Sequence, residues 1–180
     1  MRSLTLPLIA ALVAVPAAAQ SPWKIVPPVR VVPLGTFQDT TISEASAAAA
    51  SRGQPGVIWT LNDSGNAPWV YAVDTAGRSL GVFRVAGASN FDWESLTLAP
   101  CPAGTCLIVG DLGDNPETRP VVMLYRFPEP RVGNASSAEL GVTAPAETLS
   151  VRYPDGPHDV EAIYADAMGN LYLVSKGRSK

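Results

Sequence analysis

One pattern recurs three times along this chain. An acidic residue opens a short apolar strand, and a second strand follows that ends in polar residues. The first copy runs from Glu44-Ala45 to Val57-Ile58-Trp59-Thr60-Leu61-Asn62-Asp63. The second runs from Asp92-Trp93-Glu94-Ser95-Leu96 to Leu107-Ile108-Val109-Gly110-Asp111. The third runs from Asp159-Val160-Glu161-Ala162-Ile163 to Leu171-Tyr172-Leu173-Val174-Ser175-Lys176. Taken on Glu44, Glu94 and Glu161, the copies are spaced 50 and 67 residues apart. A period near fifty built from short strands is the sequence pattern of propeller blades. Equivalent points of such blades converge on one axis, so the repeat predicts an architecture and a site together.

The strands between these landmarks follow from apolar alternation and turn residues. Residues 44–52 are Ala-rich and helical on propensity alone, but their place in the repeat makes a strand the preferred reading. Strands are expected over 57–62, 69–74 and 79–85, with turns at Asp63-Ser64-Gly65-Asn66 and Thr75-Ala76-Gly77-Arg78. That completes one four-stranded antiparallel blade. The second unit repeats the order over 92–98, 106–110, 121–127 and 147–153. Its Pro/Ser/Ala-rich insert, 128–146, reads as a surface loop and carries the sequon Asn134-Ala135-Ser136. The third unit supplies two strands before Lys180. The expected fold is thus all-β, a β-propeller of which about two and a half blades are present. A ring needs about four to eight, so the sequence reads as truncated at its C-terminus. Residues 29–37 are the expected strand that completes the last blade.

Upstream of the repeat, Arg2, the apolar run 4–15 and Ala17-Ala18-Ala19 have the layout of a secretory leader over 1–19. The competing reading, a membrane anchor, needs about 20 apolar residues, and this run is shorter. Residues 20–33, with Pro22, Pro27, Pro28 and Pro33, read as an extended linker, and 34–180 as the domain. No later stretch is long and apolar enough to cross a membrane. The chain is expected to be secreted or periplasmic. A net charge of −3 without a basic cluster argues against nucleic acid or an anionic membrane as partner. Cys101 and Cys106 flank Pro-Ala-Gly-Thr and, behind a leader, read as a disulfide across a tight hairpin. A zinc site would need more ligands than two Cys and one His provide.

Three groups of residues carry candidate chemistry. Glu44, Glu94 and Glu161 each stand at the opening of an inner strand. Like charges gathered near one axis raise one another's pKa or require a cation, and calcium takes about six to eight oxygen ligands. The alternative is that each Glu caps a strand within its own blade. The second group is the turns Asn62-Asp63 and Asp111…Asp114-Asn115, which end the second strands on one face. They offer oxygen ligands on a bent backbone, and Asx and Gly also simply make turns. The third is His158, the only histidine, beside Asp159 and Glu161. It is a weak candidate for a general base, and an exposed loop residue is the plainer reading. No Gly-x-Ser-x-Gly elbow, phosphate loop, dinucleotide fingerprint or zinc-protease helix occurs. Trp59 and Trp93 are expected to pack between blades.

These strings resemble a group of secreted bacterial β-propellers, largely uncharacterised. The residues that carry the likeness are Asn62-Asp63-Ser64-Gly65, Asp92-Trp93-Glu94 and Val109-Gly110-Asp111-Leu112-Gly113-Asp114-Asn115. Tyr153-Pro154-Asp155-Gly156, Asp159-Val160-Glu161-Ala162 and 171–176 complete it. More distantly the chain is similar to calcium-dependent phosphotriesterase and lactonase propellers and to esterase-like phytase domains. The resemblance implies a central calcium held by acidic and amide side chains of inner strands. The function expected first is a binding module for a small or extracellular ligand, acting as a monomer when full length. The second expectation is a calcium-dependent hydrolase of phosphate esters or lactones.

Overall fold

A computed structural model of the chain describes residues 31–133 and 140–177. The expected leader, the expected linker up to residue 30 and the sequon lie outside the described residues. Within 34–177 the described chain is all-β, with three sheets and no helix. These sheets do not close into a barrel or ring among the described residues.

The first sheet is built from β1 (Ala45–Ala50), β2 (Ile58–Asn62), β3 (Trp69–Val73) and β4 (Ser79–Arg84), paired antiparallel in chain order. The alanine run is a strand, as its place in the repeat predicts. Pairing with β2 and packing on the core override the helical propensity of alanine. The second sheet contains β5 (Trp93–Cys101), β6 (Gly104–Asp111), β7 (Val122–Pro128) and β9 (Glu147–Val151). β5 and β6 meet in a two-residue turn at Pro102-Ala103. The Cys101–Cys106 disulfide closes this hairpin, with Cα atoms 5.8 Å apart. The third sheet is the hairpin β10 (Val160–Ala165) and β11 (Leu171–Ser175). Its turn repeats the β3–β4 design. Asp74 Oδ1 accepts the Ala76 and Arg78 amides, and Asp166 Oδ1 accepts those of Met168 and Asn170. Gly77 and Gly169 take the positive φ that closes each turn.

Two expectations are corrected. The insert 128–146 is not loop throughout. β8 (Leu140–Val142) runs parallel to β4 as a fifth strand of the first sheet, covering an edge that would otherwise expose unpaired amides. Gly141 makes this approach feasible, because a Cβ there would meet the Phe83 ring at 2.6 Å. Residues 31–37, the described part of the expected closing strand, form no strand. Residues 35–38 cross the β3–β4 turn instead, where Gln38 N–H donates to Gly77 O at 2.9 Å. The backbones of Gly35 and Gly77 approach so closely that a side chain at either would strike the other segment.

Two hydrophobic layers hold the sheets together. Trp59, Leu61, Trp93, Leu96, Leu98, Leu107 and Val109 lie between the first and second sheets. Ala99, Ile108, Leu112, Leu124, Val160 and Ile163 lie between the second and third. The two tryptophans sit between sheets, as expected, and are fully buried. Each indole N–H is satisfied, by Glu129 Oε1 at 2.8 Å and by Ser89 O at 2.9 Å, as a buried donor must be.

Candidate functional site

Pairing register, rather than spacing, fixes how the three hairpins correspond. Each has one β-bulge near the start of its first strand. The extra residue is Ser46 in the first hairpin, Glu94 in the second and Glu161 in the third. A bulge leaves its extra residue unpaired and turns it out of the ladder, so these three side chains hold one position. Two residues before them, Glu44, Asp92 and Asp159 also correspond. Their carbonyls accept the amides of Asp63, Leu112 and Lys176, at 3.0, 3.1 and 2.8 Å. The sequence spacing therefore sets Glu44 two positions out of frame. Its counterparts are Asp92 and Asp159, not Glu94 and Glu161.

This frame brings carboxylates from two sheets together. Asp63 at the end of β2, Asp92 before β5 and Glu94 on the bulge present oxygens within 4.8 Å of one another. Glu94 is buried, and its Oε2 accepts the Ser46 hydroxyl across the sheet boundary at 3.0 Å. Its pKa is pushed up to about 7, first by burial and then by the charges of Asp63, Glu161 and Asp92, against the lowering effect of the Ser46 bond. Asp92 is also held above the usual carboxylate range, by burial first and Asp63 next. Gly113 has room only for a hydrogen where the Asp92 carboxyl lies against it.

Around this centre the other acids are compensated. Asp111, buried, takes Arg119 Nη2 at 2.8 Å and the Phe91 and Asp92 amides at 3.1 and 3.2 Å. The guanidinium also donates to Gly113 O at 2.6 Å and stacks 4.6 Å over the Phe91 ring. Asp114 Oδ2 accepts the Arg119 amide at 2.6 Å, so it shapes the loop. Glu161 pairs with Lys176 Nζ at 2.8 Å. The same ammonium lies 3.5 Å from Asp159 and 3.4 Å from Asn115 Oδ1. Asp159 is buried and accepts the Asp114 amide at 2.9 Å.

The expected residues thus divide. Asp63 and Glu94 share the centre, and the charge of Glu161 reaches Glu94. Glu44 lies outside it, with Oε2 accepting from Asn66 at 2.9 Å. Asn62 is buried and spent on structure: its oxygen accepts the Glu44 amide and its NH2 donates to Thr41 O. Asp111, Asp114 and Asn115 serve Arg119, their own loop and Lys176. His158 Nε2 lies 2.9 Å from Asp155 Oδ1, with its ring edge-on to Tyr153 at 5.2 Å. Sequence reasoning missed Asp92 as a site residue, along with Ser46, Arg119 and Lys176. Aligning the copies as Glu-Ala-Ser-Ala, Asp-Trp-Glu-Ser and Asp-Val-Glu-Ala would have found the first two.

Chemically, the centre offers hard oxygen donors and excess negative charge. Oxygens bound to one calcium at about 2.3–2.6 Å can stand no more than about 5 Å apart, and the Asp63–Asp92–Glu94 set meets that limit. The absence of nitrogen or sulfur donors suits calcium better than zinc. Comparison of the chain with protein-family models, with curated proteins and with solved structures gives no significant match.

Proposed function

We propose that the chain belongs to an exported β-propeller binding module that holds a calcium ion where its hairpins converge. Three consecutive sheets built on one bulged hairpin support the propeller reading, as does their stacking in chain order. The disulfide is compatible with an oxidising compartment. Among the described residues no helix is long and apolar enough to cross a membrane.

The observation that carries the cation is the uncompensated Asp63–Asp92–Glu94 centre. Neighbouring acids are ion-paired with Arg119 or Lys176, whereas among the described residues the hydrogen bonds that this set accepts come from neutral donors, the Ser46 hydroxyl on Glu94 and the Ser64 amide on Asp63. A divalent ion would remove the mutual repulsion and keep Glu94 ionised. A bound calcium would also present open coordination positions to an oxygen-rich ligand. A hydrolase of phosphate esters or lactones is the second reading. One feature favours it: a carboxyl poised near 7 has the proton affinity suited to a general base.

Calorimetric titration of the exported chain with calcium tests the first reading. One site is expected, lost in Asp92→Asn and Glu94→Gln. No heat and no thermal stabilisation by calcium would sink it. Turnover of a phosphate ester or lactone that vanishes in Glu94→Gln would promote the second reading.

A further inference from the structure

The turn that leads into the third hairpin contains a chemically reactive step. Asp155-Gly156 is the only Asp-Gly pair in the sequence, and no Asn-Gly occurs. An aspartyl side chain can be attacked by the amide nitrogen of the residue that follows it. The main obstacle is the side chain of that residue, and glycine has none. Gly156 takes a φ of +110°, and the place a Cβ would fill is open, with no atom within 4 Å. Among the described residues no partner accepts its N–H. The Asp155 side chain is 70% exposed, so packing does not hold it away from that nitrogen. One contact does restrain it. His158 Nε2 lies 2.9 Å from Asp155 Oδ1, and Tyr153 fixes the imidazole edge-on at 5.2 Å. The His158 bond first, and the Asp155 amide next, hold this carboxyl below the usual carboxylate range. The attack expels a carboxyl oxygen as water, so it draws on the protonated acid that this bond makes scarce.

We propose that Asp155 isomerises spontaneously to isoaspartate and that His158 sets the pace. The Gly156 nitrogen forms a bond to Asp155 Cγ and gives up its proton. A carboxyl oxygen leaves as water, which closes a succinimide ring. Water then adds at the former main-chain carbonyl of Asp155, and the bond from that carbon to the Gly156 nitrogen breaks. The water lost in the first step is regained in the second, so no oxidant or co-reactant is needed. In the product the main chain runs through Cβ, and a free carboxylate stands directly on Cα. That carboxylate no longer occupies the place of Oδ1 against His158. Asp155, Gly156, His158, Ser175 and Lys176 line one groove of about 490 Å³. The modification therefore remakes one wall of this groove and frees the imidazole within it. The inference rests on this turn alone and is independent of the cation.

Ageing the exported chain in neutral buffer, followed by peptide mapping and labelling with an isoaspartyl methyltransferase, tests it. Isoaspartate is expected at position 155 in the wild type. Asp155→Glu, whose longer side chain would have to close a larger ring, should show none there. His158→Ala should form it about twofold to fivefold faster, the worth of an exposed charged pair. His158→Lys returns a cationic donor and should bring the rate back toward that of the wild type. In urea, where the bond is absent from every chain, wild type and His158→Ala should age alike. Three results would overturn the proposal. One is no isoaspartate at 155 in folded His158→Ala while the urea-unfolded chain forms it. Another is equal rates in folded wild type and folded His158→Ala. The last is a His158→Lys chain as fast as His158→Ala, the result of a turn that has merely loosened.

Discussion

Glu94 and Glu161 hold the same bulge position in sister hairpins, yet they live in opposite electrostatic settings. The residue that closes each hairpin makes the difference. Lys176 closes the third and turns back onto Glu161 at 2.8 Å. Leu112 closes the second, is fully buried and brings no charge. Asp63 closes the first, and its carboxylate lies against Glu94 from the neighbouring sheet. The backbone therefore repeats while the charge balance does not. One side chain per hairpin decides whether a bulge carboxylate is neutralised or left in want of a cation. Gathering acids at one place is a property of the fold, and compensation is a separate, local matter.

The largest test removes compensation where it exists. Arg119 bridges Asp111, Gly113 O and the Phe91 ring. Arg119→Met leaves Asp111 buried next to Asp92 without its partner. Breaking a mostly buried pair from one side costs about 3 kcal/mol, readable in urea denaturation. A loss under about 0.5 kcal/mol, typical of exposed pairs, would show that Asp111 needs no compensation. The next test adds compensation where it is missing. Asp63→Lys copies the Lys176 arrangement into the first hairpin. Glu94 should then titrate well below 7, and calcium affinity should fall about a hundredfold, the product of losing one carboxylate ligand and gaining a cation. Carbon NMR of the Glu94 carboxyl and calorimetry give the two readings.

A smaller effect follows from the proton itself. Folded Glu94 titrates near 7 and its reference value is 4.5. Between those values the folded chain holds more proton than the unfolded one. Its stabilising contribution is therefore complete below about pH 4.5 and is lost as pH rises through 7. The full shift corresponds to about 3 kcal/mol, and solvent screening of a carboxyl at the sheet end brings the decline to the order of 2 kcal/mol. Glu94→Gln should flatten it, and saturating calcium should shrink it by holding the carboxylate ionised. A calcium-free stability curve that rises from pH 5 to 8 would contradict the burial argument.

Strand order and the disulfide were legible because each is written locally. Alternating apolar residues, Asp-x-x-Gly turns and the spacing of Cys101 and Cys106 need no distant information. The alanine strand was legible only through the repeat, which outweighed propensity. The frame of the site was not, because a bulge adds a residue to one strand without any compositional mark. Matching the copies on Glu44, Glu94 and Glu161 set the first hairpin two residues out, and the pairing of Ala45 with Asn62 and Ala47 with Leu61 makes Ser46 the counterpart of Glu94. Arg119 was equally hidden. It lies in an unpatterned loop, and only folding brings it to Asp111. β8 was missed for a related reason: three residues of low-complexity insert carry no period, and the edge of β4 recruits them.

Lys176→Met should have the smallest effect and so bounds the comparison from the other side. Its ammonium is solvent-exposed, and its pKa is raised by the bond to Glu161 first. An exposed pair of long side chains gains little over hydrated charges. Thermal stability should therefore stay within the error of the melt, unlike in Arg119→Met. Calcium affinity should nevertheless rise, by about twofold to fivefold, the range of a screened surface charge. The reason is that Glu161, freed of its partner, adds its field to the Glu94 centre, where its charge is already felt. The gain should fade in high salt, since the interaction crosses solvent. A large loss of stability, or no change in calcium affinity at low salt, would mean that the third hairpin is not electrically coupled to the other two.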